Sequence, residues 1–318
     1  MNVLMEQLHF SLSITGPICL MLILGVIFKR IGLINENFIY VASKLVFQVT
    51  LPAMLFLSIV TAKHDFSAAS QFVGFGLIAS ILFFVFTTLS VNYWFRNSPD
   101  KGVIIQGGFR SNTAIIGLAY VANAYGDQGV ALAALYVAAT TFLYNVQAVI
   151  CLTPRSEASG TKAGKVMLRT LTKNPLIIAI VFGIVFYSLS IPVPEIAVDA
   201  GNYFARMTLP LALLCTGGSL NLNSMKNEQA ASWFATGYKL LLAPISITLA
   251  AYLMGFKGIE MGIIFFMNAS PVAAASYVMA RAMGSNSALA ANIIAFTTVL
   301  SAITCTLGIV ILSSFDLL

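Results

Sequence analysis

Two short polar stretches interrupt the apolar segments of this chain: GGFRSNT at residues 107–113 and NASP at residues 268–271. An offset of 158 residues makes them equivalent, because it places Asn112 on Ser270. Pro271 lacks a backbone N–H and disfavours helical geometry in the residue before it. Backbone groups released from a helix in hydrocarbon need new partners. The stretches therefore predict two broken helices that meet inside a membrane bundle.

The composition around these stretches indicates that lipid is the main solvent. Of the 318 residues, 59% are hydrophobic and 9% are charged, a balance unsuited to a water-soluble surface. The apolar runs repeatedly exceed the roughly 18 residues that a spanning helix needs, whereas membrane β-barrels show short alternating segments. The sequence therefore predicts an all-α integral membrane protein with the lipid bilayer as its partner.

Glycine, proline and charged residues divide the apolar sequence into ten predicted transmembrane helices. The ten lie near residues 9–28, 37–61, 70–94, 102–123, 128–151, 174–190, 196–220, 230–254, 258–281 and 286–313. The polar residues 153–172 form a cytoplasmic linker between five helices in residues 1–152 and five in residues 173–318.

Lysine and arginine predict the orientation, since they are enriched in short cytoplasmic loops. Ten spans leave only Lys63 and Lys257 in the loops of one side. The other side collects Lys29, Arg30, Arg96, Lys101, Arg155, Lys162, Lys165, Arg169, Lys173, Lys226 and Arg281. We therefore expect a multi-pass protein of the cell (inner) membrane with both termini outside the cytoplasm. These positions at the ends of apolar segments argue against a nucleic-acid partner.

The two halves repeat each other at the offset of 158 residues. It superposes Pro17 on Pro175 and the tripeptide Thr-Leu-Pro at 50–52 on the same tripeptide at 208–210. Because each half has an odd number of helices, the second half enters the membrane from the opposite side. Inverted repeats with broken helices at the midplane are typical of secondary transporters.

The candidate substrate site lies at the two broken stretches. Half-helix N-termini present free N–H groups and positive dipole ends, which suit a carboxylate. The predicted substrate-binding residues are Arg110, Ser111, Asn112, Thr113, Asn145, Ser270 and Pro271. Arg110 is a candidate to neutralise the carboxylate, because an intramembrane charge is a functional candidate by default. The alternatives are that Arg110 snorkels to the cytoplasmic surface and that Pro271 only kinks a helix.

Other polar residues and prolines are predicted to lie outside the substrate site. Gln48, Pro52 and Pro210 are candidate gate residues, with matched kinks predicted at the two prolines. Arg206 and Lys239 are interpreted as structural. The sequence shows no Walker loop, dinucleotide glycine pattern, metal-ligand cluster or Ser-His-Asp arrangement, so no cofactor, no metal and no enzymatic activity are predicted.

The motifs together resemble the auxin efflux carrier family, which includes plant auxin exporters and bacterial malate or malonate permeases. They are Arg110-Ser111-Asn112-Thr113, Gly117, Tyr125-Gly126, Asn174-Pro175, Leu209-Pro210 and Ser270-Pro271.

The resemblance implies a scaffold from the first two helices of each half and a mobile transport domain from the other three. It also implies crossovers in the fourth and ninth helices, an elevator-like movement, organic-anion cargo and a homodimer. By position, Asn112 and Pro271 match crossover residues that line the family's substrate site, and Asn145 falls on the fifth-helix face beside them.

Two transporter hypotheses follow. The first is a carrier of small organic carboxylates that binds the anion at the crossover and alternates access by an elevator-like movement. The alternative is a sodium- or proton-coupled symporter or antiporter of the bile-acid-symporter type with a different solute. No acidic residue lies securely deep in a predicted span, so the sequence leaves coupling open.

Overall fold

The computed structural model describes residues 2–61, 69–152, 175–220 and 230–318. The predicted linker at 153–172 lies outside these residues. The described chain is helical, and its one β-type pairing is an isolated antiparallel bridge between Ser111 and Val272.

The described residues up to 152 form six α-helices and two π-helical turns. The helices are α1 (Asn2–Arg30), α2 (Glu36–Leu45), α3 (Leu51–Val60), α4 (Ala69–Trp94), α5 (Lys101–Phe109) and α6 (Leu118–Leu152). A π-helical turn at Val46–Thr50 joins α2 to α3, and another at Thr113–Gly117 leads into α6. Within α6, Gly126 has non-helical φ and ψ of 59° and −151°, which glycine adopts at little cost.

The described residues after 174 form seven α-helices. They are α7 (Pro175–Ser188), α8 (Glu195–Ser219), α9 (Ala230–Gly237), α10 (Ala243–Leu253), α11 (Gly258–Ala269), α12 (Ala275–Ala282) and α13 (Ser287–Ser314). A π-helical turn at Tyr238–Leu242 joins α9 to α10.

Six helical stretches in the described residues are long and apolar enough to cross a membrane. They are Gln7–Arg30, Glu36–Val60, Ser70–Trp94, Thr113–Leu152, Ala230–Leu253 and Ser287–Ser314. The apolar helices α7 and α11 are shorter. The prediction of an all-helical integral membrane protein is confirmed at this level, and the arrangement of ten crossings as an inverted repeat stays a prediction.

Unusual backbone turns recur at the offset seen in the sequence. Positive φ occurs at Gly32 (78°) and Ser190 (50°), and again at Gly126 (59°) and Gly284 (68°). Each pair is separated by 158 residues, as the numbering shows. Chain reversals therefore fall at equivalent places in the two parts of the chain.

Helices α1 and α8 approach each other closely. A Cβ atom at Gly217 would meet the backbone carbonyl of Leu22, and one at Gly25 would meet that of Leu214. Helix α3 packs against α7 and α8, while α5 packs against α4, α6 and α9. Small residues at such crossings let helix backbones come together in a membrane protein.

The predicted matched kinks differ between the two prolines. A π-helical turn at Val46–Thr50 runs directly into α3, where Pro52 is the second residue, and such a bulge in a continuous helix accommodates the N–H that proline lacks. Pro210 instead lies inside α8, which continues through it from Glu195 to Ser219. The helical irregularity is therefore confined to the first of the two positions.

Candidate functional site

Helices α5 and α11 both end at the polar stretches identified in the sequence. Arg110 follows α5 in an extended conformation (φ −76°, ψ 113°), and helical structure resumes at Thr113. Ser270 follows α11 with φ −64° and ψ 147°, as expected for a residue before proline, and α12 begins at Ala275. We call residues 110–112 and 270–274 together the crossover.

The two stretches of the crossover are bonded through their backbones. The N–H of Asn112 donates to the carbonyl oxygen of Pro271 at 2.7 Å, and Ser111 pairs with Val272 in the antiparallel bridge. The N–H of Val272 donates to Thr297 Oγ1 at 3.2 Å. These bonds supply part of the pairing that broken helices need inside hydrocarbon.

Most of the predicted substrate-binding residues lie inside the protein. Five of them have side chains at most 6% exposed: Arg110, Ser111, Asn112, Thr113 and Ser270. Pro271 is also buried, and Asn145 is half-buried. The Ser270 hydroxyl donates to the carbonyl of Met267 at 2.9 Å, so it points back along α11.

Arg110 is held by neutral partners. Its Nη2 donates to Asn145 Oδ1 at 2.9 Å, and its Nη1 lies 2.8 Å from the sulfur of Met279. The one ion pair among the described residues joins Lys29 to Glu36, so no described carboxylate lies within 4.0 Å of the guanidinium. The geometry favours a guanidinium retained inside the protein over one that snorkels to the surface.

The candidate gate residues do not gather at the crossover. Gln48 is exposed and Pro52 is buried. Pro210 lines a cavity of about 500 Å³ between α1, α3, α6 and α8, together with Pro17 and Arg206. None of the seven predicted substrate-binding residues lines this cavity.

Lys239 and Met279 lie beside the crossover but are not among the predicted substrate-binding residues. Lys239 is completely buried, and its Nζ donates to the carbonyl of Asn268 at 2.5 Å. Its position in the middle of the apolar run 230–254 was a usable signal. Met279 gave no such signal, because a methionine in an apolar segment is an ordinary packing residue.

Comparison with known proteins agrees with a transport role. The sequence profile of the family described as membrane transport protein matches residues 15–309. The chain belongs to this family. The resemblance to auxin efflux carriers, drawn from motifs such as Arg110-Ser111-Asn112-Thr113, is thereby confirmed.

Two relatives of this transporter align along nearly their whole length. An uncharacterized transporter of Methanothermobacter thermautotrophicus is 24% identical over 298 residues, which is 93% of this chain and 96% of the relative. The uncharacterized transporter YfdV of Escherichia coli is 23% identical over 282 residues, which is 86% of this chain and 88% of the relative. Family and relatives together indicate a multi-pass membrane transporter, a class that is generally not enzymatic.

Proposed function

We propose that this transporter is a secondary carrier of small organic anions and that it binds their carboxylate at the crossover. The observation that carries the proposal is the Arg110 guanidinium, which is buried in the crossover and bonded to Asn145. No described carboxylate lies within 4.0 Å of it. A buried charge without an opposite charge is costly, so a bound anion stabilises this arrangement.

Backbone groups at the crossover complement this charge. Helical structure resumes at Thr113 and at Ala275, so two half-helices begin beside the paired stretches. The first N–H groups of a helix have no partner within it, and the helix dipole favours negative charge there. Asn112 lies immediately before the half-helix that begins at Thr113. It contributes an amide side chain, which both donates and accepts hydrogen bonds.

We also propose the architecture expected from the inverted repeat, with ten crossings and both termini outside the cytoplasm. The positive-φ pairs Gly32/Ser190 and Gly126/Gly284 at one offset support a duplicated half. The first two helices of each half would form a scaffold. The other three would form a transport domain that carries the crossover.

An elevator-like movement requires a boundary between scaffold and transport domain that can slide. The cavity of about 500 Å³ lies along this boundary, because α1, α3 and α8 belong to the scaffold and α6 to the transport domain. Asn123 Nδ2 donates to the carbonyl of Ile14 at 2.9 Å across the same boundary. Ser11 and Thr15 of α1 also bond to Thr306 of α13 across it, so an elevator-like movement would exchange these hydrogen bonds as the packing alternates between two states.

Transport by the purified protein in proteoliposomes tests the function. Labelled monocarboxylates, dicarboxylates and indole-3-acetate are supplied with and without proton and sodium gradients. We expect saturable uptake and counterflow of at least one acid. Acceleration by one gradient would identify the coupling ion. Absence of flux for every carboxylate, with protein correctly inserted, would refute organic-anion cargo.

A further inference from the structure

A buried lysine lies at the end of half-helix α11. Lys239 occupies the π-helical turn Tyr238–Leu242, and its side chain is 0% exposed. Its Nζ donates to the carbonyl oxygen of Asn268 at 2.5 Å. Asn268 belongs to the last turn of α11, directly before the crossover.

The carbonyl groups of this last turn account for the position of the lysine. A helix leaves its last four carbonyl groups without helical donors, and its C-terminal end carries partial negative charge. The carbonyl of Phe266 accepts from the N–H of Ser270 at 3.1 Å, and that of Met267 accepts from the Ser270 hydroxyl at 2.9 Å. The carbonyl of Asn268 accepts from Lys239. Lys239 is thus the cation at the negative end of a broken helix.

The surroundings of this ammonium group are neutral. No described carboxylate lies within 4.0 Å of Lys239 Nζ. The Asn268 side chain donates to Ile264 O at 2.8 Å and to the Tyr136 hydroxyl at 3.3 Å. The Lys239 ammonium therefore contacts a carbonyl oxygen, a type of ligand that small cations also bind.

In secondary transporters, unwound carbonyls and the C-terminal ends of half-helices are where coupling cations bind. We propose that the Lys239 ammonium is a tethered cation that occupies such a site at the end of α11. The crossover then needs no dissolved sodium at this position. Removal of the side chain converts the position into a site for a small monovalent cation.

The proposal applies to one half of the molecule. The offset of 158 residues places Lys239 on Ile81, so α4 carries an apolar residue at the equivalent position. Ile81 is 44% exposed. The second half therefore has the tethered charge, and the first half has an apolar side chain at the equivalent position.

Thermal unfolding of the purified protein tests the site without any cargo. The full chain and Lys239→Ala are heated in sodium, potassium, methylammonium or choline chloride at equal ionic strength. We expect the Tm of the native chain to be the same in all four salts. In choline, Lys239→Ala should unfold several degrees lower, because a buried carbonyl loses its partner. Methylammonium or sodium should recover part of this loss in a saturable way.

Two further variants serve as controls. Lys257→Ala removes an exposed lysine at the other end of α11 and should show no cation-specific shift. Lys239→Met keeps most of the volume, so it should lose stability without rescue by methylammonium. This variant keeps the test decisive if Lys239→Ala does not fold.

Three results would overturn the proposal. They are a sodium-specific stabilisation of the native chain, equal rescue of Lys239→Ala by choline, and a Lys239→Met variant as stable as the native chain. The role in transport rests on the proposed function, whereas the binding measurement does not. Cation rescue without carboxylate flux would therefore refute the cargo and leave the site standing.

Discussion

The backbone N–H of Asn112 donates a hydrogen bond to the carbonyl oxygen of Pro271 across 2.7 Å, and this bond joins the two halves of the chain at their breaks. Main-chain atoms alone make the connection. The Asn112 side chain takes no part in this bond. Substitutions of that side chain therefore separate binding from folding at the crossover.

Asn112→Ala should reduce carboxylate uptake by tenfold or more while the protein remains folded. The loss of a hydrogen bond to a charged group costs about 1.5–3 kcal/mol, and each 1.4 kcal/mol is about tenfold. Initial uptake rates in proteoliposomes, normalised to inserted protein, measure the effect. Asn37→Ala, at an exposed position on α2, is the matched control. Unchanged uptake by Asn112→Ala would remove this residue from the site.

Pro271→Ala should weaken substrate binding. Alanine restores a backbone N–H and permits helical geometry in Ser270, which lets α11 extend toward α12. The half-saturation concentration for uptake should rise, because the paired backbone of the crossover is disturbed. Pro194→Ala, at the N-cap of α8, provides a proline control. An unaltered half-saturation concentration would mean that the proline only shapes the helix.

Arg110 and Asn145 should act as one unit in transport. Arg110→Gln removes the positive charge, and Asn145→Ala removes its 2.9 Å partner. Each change should impair uptake strongly, and the double variant should be little worse than Arg110→Gln, because interacting residues are not additive. Arg281→Gln, in the last turn of α12, should retain uptake. Additive losses would show that the two side chains act separately.

Asn123→Ala should raise the maximal rate of uptake without changing the half-saturation concentration. The bond from Asn123 to the carbonyl of Ile14 joins α6 to α1, so it stabilises one position of the transport domain relative to the scaffold. Its removal should lower the barrier to movement by about 1 kcal/mol. Asn202→Ala, which lines the same cavity, is the control. A changed half-saturation concentration with an unchanged maximal rate would contradict the sliding boundary.

Gly217→Ala should destabilise the protein by about 1–3 kcal/mol, the cost of overpacking a tight interface. The new methyl group would meet the backbone carbonyl of Leu22, which has no side-chain rotamer with which to yield. Thermal unfolding in detergent measures the loss. Gly16→Ala is the control on α1, because nothing lies within 4 Å of a Cβ there. Equal stability of the two variants would show that α1 and α8 separate without cost.

The sequence by itself determined the solvent, the element type and the places where helices end. These features are local: apolar run length predicts spanning helices, and Pro271 interrupts hydrogen bonding within its own helix. The family also followed from short motifs, since Arg110-Ser111-Asn112-Thr113 can be read without a structure.

Only the tertiary structure decided which polar groups meet. Arg110 bonds to Asn145 at a separation of 35 residues, and Lys239 bonds to the Asn268 carbonyl at a separation of 29 residues. Such pairs depend on how each helix is rotated and how deeply it packs against its neighbours. The apolar pattern leaves that rotation undefined, because a helix that is apolar on every side has no single buried face. Packing of the side chains fixes it, and with it the partners of both buried cations.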